Sequence, residues 1–280
     1  MANLPRVALG KTGETVTRLG LGGEGVLRTF GREADAVPLI KRALDLGITY
    51  FDCARAYSGS EEYYGLALGK RRNDIFLCSK THDRTKKGSR QFLETTLRNM
   101  KTDHLDLWQF HDIRTPLDLD QASAAGGCMQ AFDEAKKAGY VRFMGITGHY
   151  DPNIIVKGME LYHFDTVLMP VNPSEPHHLS FLETVVPEAR KRNMGIIGMK
   201  TIKPYYSWNG KTFTVSELLS FALSQDIDVV ITGCDTIPQL EENVSVVEQF
   251  VPLPKDELAS MVERGEKVTN VMFYKKGLGG

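Results

Sequence analysis

Four polar residues, Asp52, Tyr57, Lys80 and His111, stand at or just beyond the ends of three successive strand-like runs. A phenol has an ordinary pKa of about 10, so a tyrosine that donates a proton at neutral pH needs a nearby cation and hydrogen-bond partners. Lys80 could be that cation, with Asp52 keeping it charged and in place. His111 would orient the carbonyl oxygen that the phenol protonates. The residue types therefore predict proton donation during hydride transfer to a carbonyl group.

Short β-rich runs alternate with amphipathic helical stretches along nearly the whole chain, a rhythm typical of a parallel sheet. The predicted strands are 18–22, 50–53, 75–80, 105–111, 142–147, 166–171, 195–200 and 228–232. Helical spacing is found at 37–46, 92–100, 129–138, 215–224 and 255–267. Eight strand–helix units predict an α/β fold, a (β/α)8 TIM barrel, rather than an open doubly wound sheet.

The segments 6–9 and 15–18 flank Gly10 to Gly13, which predicts a β-hairpin ahead of the first barrel strand. Such a hairpin could cap the barrel floor, and a C-terminal helix and tail would follow the eighth unit. No Pro- or Ser-rich linker and no repeat divides the chain. A single barrel domain over residues 1–280 is the expected organisation.

The predicted strands bring the four polar residues to one place. Asp52 lies at the C-terminal end of the second strand, Lys80 ends the third and His111 ends the fourth, while Tyr57 follows in the loop after Asp52. Barrel enzymes carry their chemistry on that rim. A lone Asp or Lys at a strand end is usually a solvated or capping residue, so the combination is the informative signal.

Composition narrows the classes of partner and compartment. The formal net charge is −1, so there is no overall field that would attract nucleic acid or an anionic membrane. No signal segment or spanning run of about 20 apolar residues is visible. The four cysteines are too dispersed for a disulfide framework or a metal pair, and His177-His178 is interpreted as a loop pair without further ligands. We expect a cytoplasmic protein without a metal; its oligomeric state stays open.

The run from Phe51 to Tyr57, followed by Ser60-Glu61-Glu62 and the segment 65–69, resembles the strand-two signature of the aldo-keto reductases. Lys80 after 75–79 and His111 after 105–110 extend the resemblance, which spans nearly the whole chain. It implies reduction of an aldehyde or ketone by a nicotinamide cofactor, without metal or flavin. Tyr57 would then be the proton donor and Lys80 would lower the pKa of its phenol. Asp52 would pair with Lys80, and His111 would orient the substrate oxygen.

The resemblance also implies a set of cofactor-binding positions along the rim. Asn172 stands near the position of a glutamine that commonly holds the carboxamide, and Met199 replaces a stacking tyrosine. Asp235 and Gln239 occupy positions where basic side chains usually meet a 2′-phosphate. Backbone amides at the start of the following helix could hold phosphate instead, and Lys200 or Lys203 could reach across. The resemblance implies a slight preference for NADP(H) over NAD(H) as the cofactor. The full set is Gly23, Glu24, Asp52, Thr147, Gly148, Asn172, Met199, Lys200, Gly233, Cys234, Asp235, Thr236, Gln239, Glu242 and Asn243.

Candidate substrate contacts are aromatic. Tyr205, Tyr206 and Trp208 cluster in the long connection 201–213, and Phe30 lies in an early rim loop. These rings could form a lid or wall for a hydrophobic carbonyl compound, or they could simply pack the loop onto the barrel. Four histidines, His82, His104, His149 and His163, are interpreted as ordinary surface or core residues, and Arg84 as part of a solvated helix start.

Two alternatives from other classes stay open. Lys80 at a strand end could form a Schiff base, as in an aldolase. A nucleotide-binding regulatory or redox-sensing subunit with little turnover would also fit the altered carboxamide contacts.

Overall fold

A computed structural model describes residues 2–202, 212–266 and 276 of the chain. Eight strands of the described residues form a closed parallel barrel in which each strand pairs with the next and the last pairs with the first. They are β3 (Leu19–Gly25), β4 (Tyr50–Phe51), β5 (Phe76–Thr81), β6 (Leu105–Phe110), β7 (Val141–Thr147), β8 (Thr166–Pro170), β9 (Gly195–Met199) and β10 (Val229–Cys234). The predicted (β/α)8 barrel is confirmed.

Ten α-helices are described, and most of them alternate with the strands. They are α1 (Glu33–Asp45), α2 (Ser60–Ala67), α3 (Lys86–Met100), α4 (Pro116–Ser123), α5 (Cys128–Lys137), α6 (Pro152–Leu161), α7 (Phe181–Lys191), α8 (Val215–Leu223), α9 (Ile237–Glu248) and α10 (Lys255–Glu266). In α1 the apolar face of Leu39, Ile40, Ala43 and Leu44 is buried, and Gly47 with φ 88° follows its end. This helix therefore turns one apolar face toward the core.

An N-terminal hairpin closes the floor of the barrel, as predicted. Strand β1 (Arg6–Ala8) pairs antiparallel with β2 (Thr15–Thr17), and the side chains of Leu9 and Val16 pack into the barrel interior. The connecting turn presses on the start of β9, because a Cβ atom on Gly10 would lie 2.1 Å from the nitrogen of Gly195. With the floor sealed, the opposite rim is left as the open end.

The rim is formed where the C-terminal ends of the strands meet their following loops. Asp52 continues the pairing of β4 past its last residue, since its amide donates to the carbonyl of Leu21 at 2.8 Å. Lys80 lies inside β5, and His111 directly follows β6. Within the described ranges, no helix has the length and apolar character needed to cross a membrane.

Candidate active site

A buried ion pair joins β5 to the end of β4. The Lys80 Nζ atom lies 2.5 Å from Oδ2 of Asp52 and also donates to the carbonyl of Cys53 at 2.6 Å. Gln109, on β6, donates to the other carboxylate oxygen of Asp52 at 3.0 Å. Lys80 and Asp52 are each only 1% exposed. Two charges can be buried this deeply because each has an opposite charge and further hydrogen bonds.

Burial and pairing act in opposite directions on Lys80. Burial, the largest single effect, lowers the pKa of the ammonium, but the Asp52 carboxylate, together with Tyr57 and Cys53, more than offsets it, so the pKa of Lys80 lies above its ordinary value. Burial also raises the pKa of Asp52, which Lys80 counteracts. With the two groups in direct contact, the pair is charged at neutral pH and places a fixed cation below the rim.

Tyr57 lies against this cation on the cavity wall. The Lys80 Nζ atom is 5.2 Å from the centre of the Tyr57 ring, and the His111 ring approaches edge-on at 6.0 Å between centroids. The backbone of Gly23 forms another side of the nest, because a Cβ atom there would lie 2.7 Å from Cδ2 of Tyr57. Any side chain at position 23 would displace the phenol, which explains the glycine.

The phenol of Tyr57 keeps its proton in this environment. Burial raises the pKa of Tyr57 above its ordinary value, and the Lys80 ammonium opposes the increase without cancelling it. The resemblance implies a lowering by Lys80; the lysine does act in that direction, but burial is the larger effect. A protonated phenol beside an ammonium is a proton donor whose anion is stabilised once the proton leaves.

His111 is neutral at physiological pH. Burial lowers its pKa well below the ordinary value, and the nearby Lys80 ammonium adds to the lowering. Its Nδ1 atom is buried and has no hydrogen-bond partner among the described residues. Nε2 is therefore the ring nitrogen that can bond to a substrate oxygen.

Arg84 holds the loop that carries His111. Its guanidinium donates to the carbonyls of His111 at 2.9 Å and Asp112 at 3.1 Å, and to Oδ1 of Asp118 at 2.8 Å. Asp112 has a φ of 57°, in the left-handed region that non-glycine residues seldom adopt. Cross-loop hydrogen bonds from Arg84 stabilise this turn, and with it the orientation of His111.

The four residues open into one cavity of about 790 Å³ at the rim. It runs from the loops after β3 to β6 across to the ends of β9 and β10. Its described lining consists of Gly22, Gly23, Glu24, Arg28, Asp52, Ala56, Tyr57, Lys80, His82, Arg84, His111, Asp112, Arg114, Asp118, Thr147, His149, Leu168, Met199, Lys200, Thr201, Ile202, Ile231, Thr232 and Gly233. In the described ranges, no three His, Cys, Asp or Glu side chains are grouped so that they could hold a metal ion.

Residues 18–204 match the family model described as the Aldo/keto reductase family. The chain belongs to this family. The aldo-keto reductase resembles an uncharacterized oxidoreductase of Bacillus subtilis, YqkF, with 26% identity over 84% of this chain and 89% of the relative. It is also 27% identical to the L-galactose dehydrogenase of Arabidopsis thaliana, over 92% of each chain. The family and these relatives support a carbonyl-reducing oxidoreductase, and aldo-keto reductases use nicotinamide cofactors.

Solved structures share the fold of this aldo-keto reductase. The holo form of the aldo-keto reductase AKR11C1 from Bacillus halodurans superposes with a TM-score of 0.75 at 22% identity, covering 98% of this chain and 99% of that one. A thermostable aldo-keto reductase in complex with the inhibitor epalrestat gives a TM-score of 0.76 at 24% identity, over 93% and 100% of the two chains. At these identities the likeness concerns the fold.

Seven of the residues expected to bind cofactor line the cavity of this aldo-keto reductase: Gly23, Glu24, Asp52, Thr147, Met199, Lys200 and Gly233. They come from β3, β4, β7, β9 and β10 or from positions that directly follow those strands. Lys200 has a φ of 55°, a second left-handed residue at a strand end. The cavity therefore joins the Tyr57 side of the rim to the ends of the last strands.

The other expected cofactor contacts lie off the cavity wall. Asn172 is buried and donates to the carbonyl of Lys200 at 3.1 Å, and Asn243 donates to Thr232 at 3.2 Å and to the sulfur of Cys234 at 3.4 Å. Gly148 is buried against Ile113 and Ile155. Four more belong to the start of α9: Asp235, Thr236, Gln239 and Glu242. Thr236 caps this helix, and Gln239 accepts from the amide of Asp235 at 2.8 Å.

The expected aromatic contacts are not part of the described wall. Phe30 is 83% exposed and does not line the cavity, while Tyr205, Tyr206, Trp208 and Lys203 lie outside the described residues. The wall instead carries seven polar side chains outside the predicted catalytic, cofactor and substrate sets: Arg28, His82, Arg84, Asp112, Arg114, Asp118 and His149. Each lies in the segment that follows a barrel strand, at most eight residues past its end, and that position is the one signal that could have identified them.

Proposed function

We propose that this chain reduces an aldehyde or ketone to an alcohol with hydride from a nicotinamide cofactor, and that Tyr57 donates the proton. The proposal rests above all on the Lys80 ammonium, held 2.5 Å from Asp52 and 5.2 Å from the centre of the Tyr57 ring, within the cavity. When bound, the cofactor supplies the hydride. The remaining chemistry belongs to the side chains of the chain, which we also propose to be a single domain over residues 1–280.

In the proposed mechanism the carbonyl oxygen is held between the Tyr57 hydroxyl and Nε2 of His111. Tyr57 transfers its proton to that oxygen as negative charge develops on it. The Lys80 ammonium stabilises the resulting phenolate, and Asp52 keeps the ammonium in place. Orientation by the neutral His111 can contribute several kcal/mol through positioning.

The cavity suits a long ligand that reaches the proton donor. Its volume of about 790 Å³ lies in the range of small-molecule and cofactor sites. It extends from Tyr57 past Thr147, Met199 and Gly233, all of them expected cofactor positions. We propose that these residues hold the nicotinamide half and that the start of α9 meets the phosphates.

For the cofactor we propose NADP(H) ahead of NAD(H). Lys200 on the cavity wall supplies a cation for a 2′-phosphate, while the carboxylate of Asp235 near the start of α9 favours NAD(H) as the rival. Titration of the wild-type protein with both reduced cofactors, followed by fluorescence, compares the two dissociation constants. Equal or tighter binding of NADH would reverse the order.

The described wall around Tyr57 favours a small hydrophilic carbonyl compound over a hydrophobic one. The loops after β3 to β6 contribute the apolar Ala56 and charged or hydrogen-bonding groups, among them Arg28, His82, Asp112 and Arg114, while the apolar Leu168, Met199, Ile202 and Ile231 line the side formed by β8 to β10. A polar substrate can replace the water that such groups bind, whereas an apolar one would leave them unsatisfied. Comparing kcat/KM for a short hydroxylated aldehyde and an alkyl aldehyde of equal length tests this class.

The Schiff-base alternative is disfavoured by the state of Lys80. Its Nζ is buried, protonated and already bonded to Asp52 and Cys53, so no lone pair is available to attack a carbonyl. A panel of aldehydes and ketones, followed at the nicotinamide absorbance, should show carbonyl-dependent loss of reduced cofactor. Tight cofactor binding with no reduction across the panel would contradict an enzyme and favour a regulatory subunit. A substrate adduct on Lys80 that borohydride traps would favour the aldolase.

A further inference from the structure

Arg28, which is not one of the four expected catalytic residues, contacts the ring of Tyr57. Its guanidinium carbon lies 4.9 Å from the centre of the Tyr57 ring, slightly nearer than Nζ of Lys80 at 5.2 Å. The two cations approach one aromatic ring from different strands, with Lys80 on β5 and Arg28 just after β3. Both side chains line the cavity.

The placement of Arg28 is built into the fold. It ends a single helical turn, Val26–Arg28, in which Val26 and Leu27 are buried and anchor the backbone. Its guanidinium donates to the carboxylate of Glu24 at 2.7 Å. A guanidinium that is bonded to Glu24 and lies over the ring keeps a defined distance to it, whereas a free surface arginine would sample many rotamers.

The charged and titratable groups around Tyr57 come from four strand ends. Glu24 and Arg28 approach from β3 and its following turn, Asp52 from β4, Lys80 from β5 and the neutral His111 from β6. Asp52 and Lys80 are buried and neutralise each other. Glu24 and Arg28 are the outer pair, with side chains 37% and 50% exposed.

We propose that Arg28, held by Glu24, is a positioning residue that acts through Tyr57 by keeping the ring in place and stabilising the charge that forms on its oxygen. This inference rests on the proposed function, in which Tyr57 donates the proton. No bond is made or broken at Arg28; the proton passes from Tyr57 to the substrate oxygen. The guanidinium is attracted both to the face of the ring and to the phenolate.

The opposite charges of Glu24 and Arg28 predict opposite shifts in the pH at which Tyr57 loses its proton. Removing the positive charge with Arg28→Met should raise the pH at which Tyr57 loses its proton, and removing the negative charge with Glu24→Gln should lower it. For a half-exposed charge at this distance each shift is about half a pH unit to one unit. Arg28→Lys keeps the charge and should restore the profile. A merely structural loosening would not move the two variants in opposite directions.

The experiment measures kcat/KM against pH for oxidation of an alcohol product, whose rising limb reports loss of the Tyr57 proton. The exposed pair Arg90 and Glu94 on α3, also four residues apart, supplies the controls Arg90→Met and Glu94→Gln, which should leave the limb in place. Opposite shifts support the inference. No shift, or shifts in the same direction, would overturn it. Tyr57→Phe in the same assay distinguishes failure of the role of Arg28 from failure of the proposed function, because full activity in that variant contradicts the proposed function itself.

Discussion

At the scale of single residues, the site depends on which charges are buried and which face the cavity. Asp52 and Lys80 are almost fully buried, whereas Tyr57 and His111 are partly exposed and can meet a ligand. The buried pair provides a fixed electric field, and the exposed residues provide the groups that exchange protons or hydrogen bonds. Substitutions of the buried pair should therefore affect both stability and chemistry, whereas substitutions of Tyr57 and His111 should affect mainly chemistry.

Lys80→Met should strongly destabilise the fold, since it leaves the Asp52 carboxylate buried without its cation. We expect a loss of about 3–5 kcal/mol in the free energy of unfolding, measured by urea denaturation. The double variant Asp52→Asn with Lys80→Met should recover about half of that loss, because no lone charge remains buried. If the double variant is less stable than Lys80→Met, the buried charge is not the cause.

Because the pKa of His111 is lowered, we expect no histidine titration in the pH profile of kcat/KM for reduction. A group whose pKa lies well below about 6.5 takes up its proton only in more acidic solution, so His111 stays neutral through the physiological range. We expect kcat/KM for reduction to be flat between about pH 8 and pH 6. A decline near pH 6.5 that disappears in His111→Asn would show instead that the ring titrates normally.

At the scale of elements, loops after parallel strands are joined across the rim. The Arg84 side chain, from the loop after β5, binds two carbonyls that follow β6 and the Asp118 carboxylate in α4. The loop after β5 thereby fixes the loop after β6, so the geometry at His111 depends on a residue that is distant in sequence.

Arg84→Lys should lower kcat/KM by about 10- to 100-fold, because one ammonium cannot replace hydrogen bonds in three directions and a small displacement of His111 is costly. Steady-state kinetics of the reduction of a carbonyl substrate measure this change in kcat/KM. Arg90→Lys, an exposed arginine on α3, is the control and should change little. Unchanged kinetics in Arg84→Lys would show that this arginine does not maintain the orientation of His111.

The sequence predicted these elements well where periodicity and glycine punctuation are local signals. All eight barrel strands overlap their predictions, and α1 differs mainly by starting at Glu33 rather than near Val37. Only the positions of Arg28, Arg84 and Asp112 after barrel strands are visible in the sequence; their contacts could not be predicted, since these depend on loops from different strands meeting at the rim. Burial of Tyr57 was likewise invisible in the sequence, although it outweighs the effect of Lys80 on the phenol.

At the scale of the whole molecule, the barrel separates a sealed floor from an open rim. Leu9 is fully buried and packs with interior residues such as Tyr50, Leu107 and Ile197. The cavity and its charged residues lie at the other end. The floor therefore stabilises the barrel, and the rim carries the residues for chemistry.

Leu9→Ala should therefore reduce stability without altering the chemical step. A buried leucine truncated to alanine costs about 2–5 kcal/mol, read as a lower thermal or urea midpoint. The kcat at temperatures where the variant is folded should match the wild type. Leu66→Ala, at a leucine that is 48% exposed, is the control with a smaller expected loss. A drop in kcat for the folded Leu9→Ala protein would contradict the separation of floor and rim.

The most direct test of the account is the turnover of Tyr57→Phe beside its affinity for the reduced cofactor. Removing one oxygen atom eliminates the proton donor and leaves the ring to pack against Gly23, Lys80 and His111. We predict that kcat for carbonyl reduction falls by about 10³-fold while the cofactor dissociation constant changes less than about twofold. Wild-type turnover in this variant would contradict the central role of Tyr57.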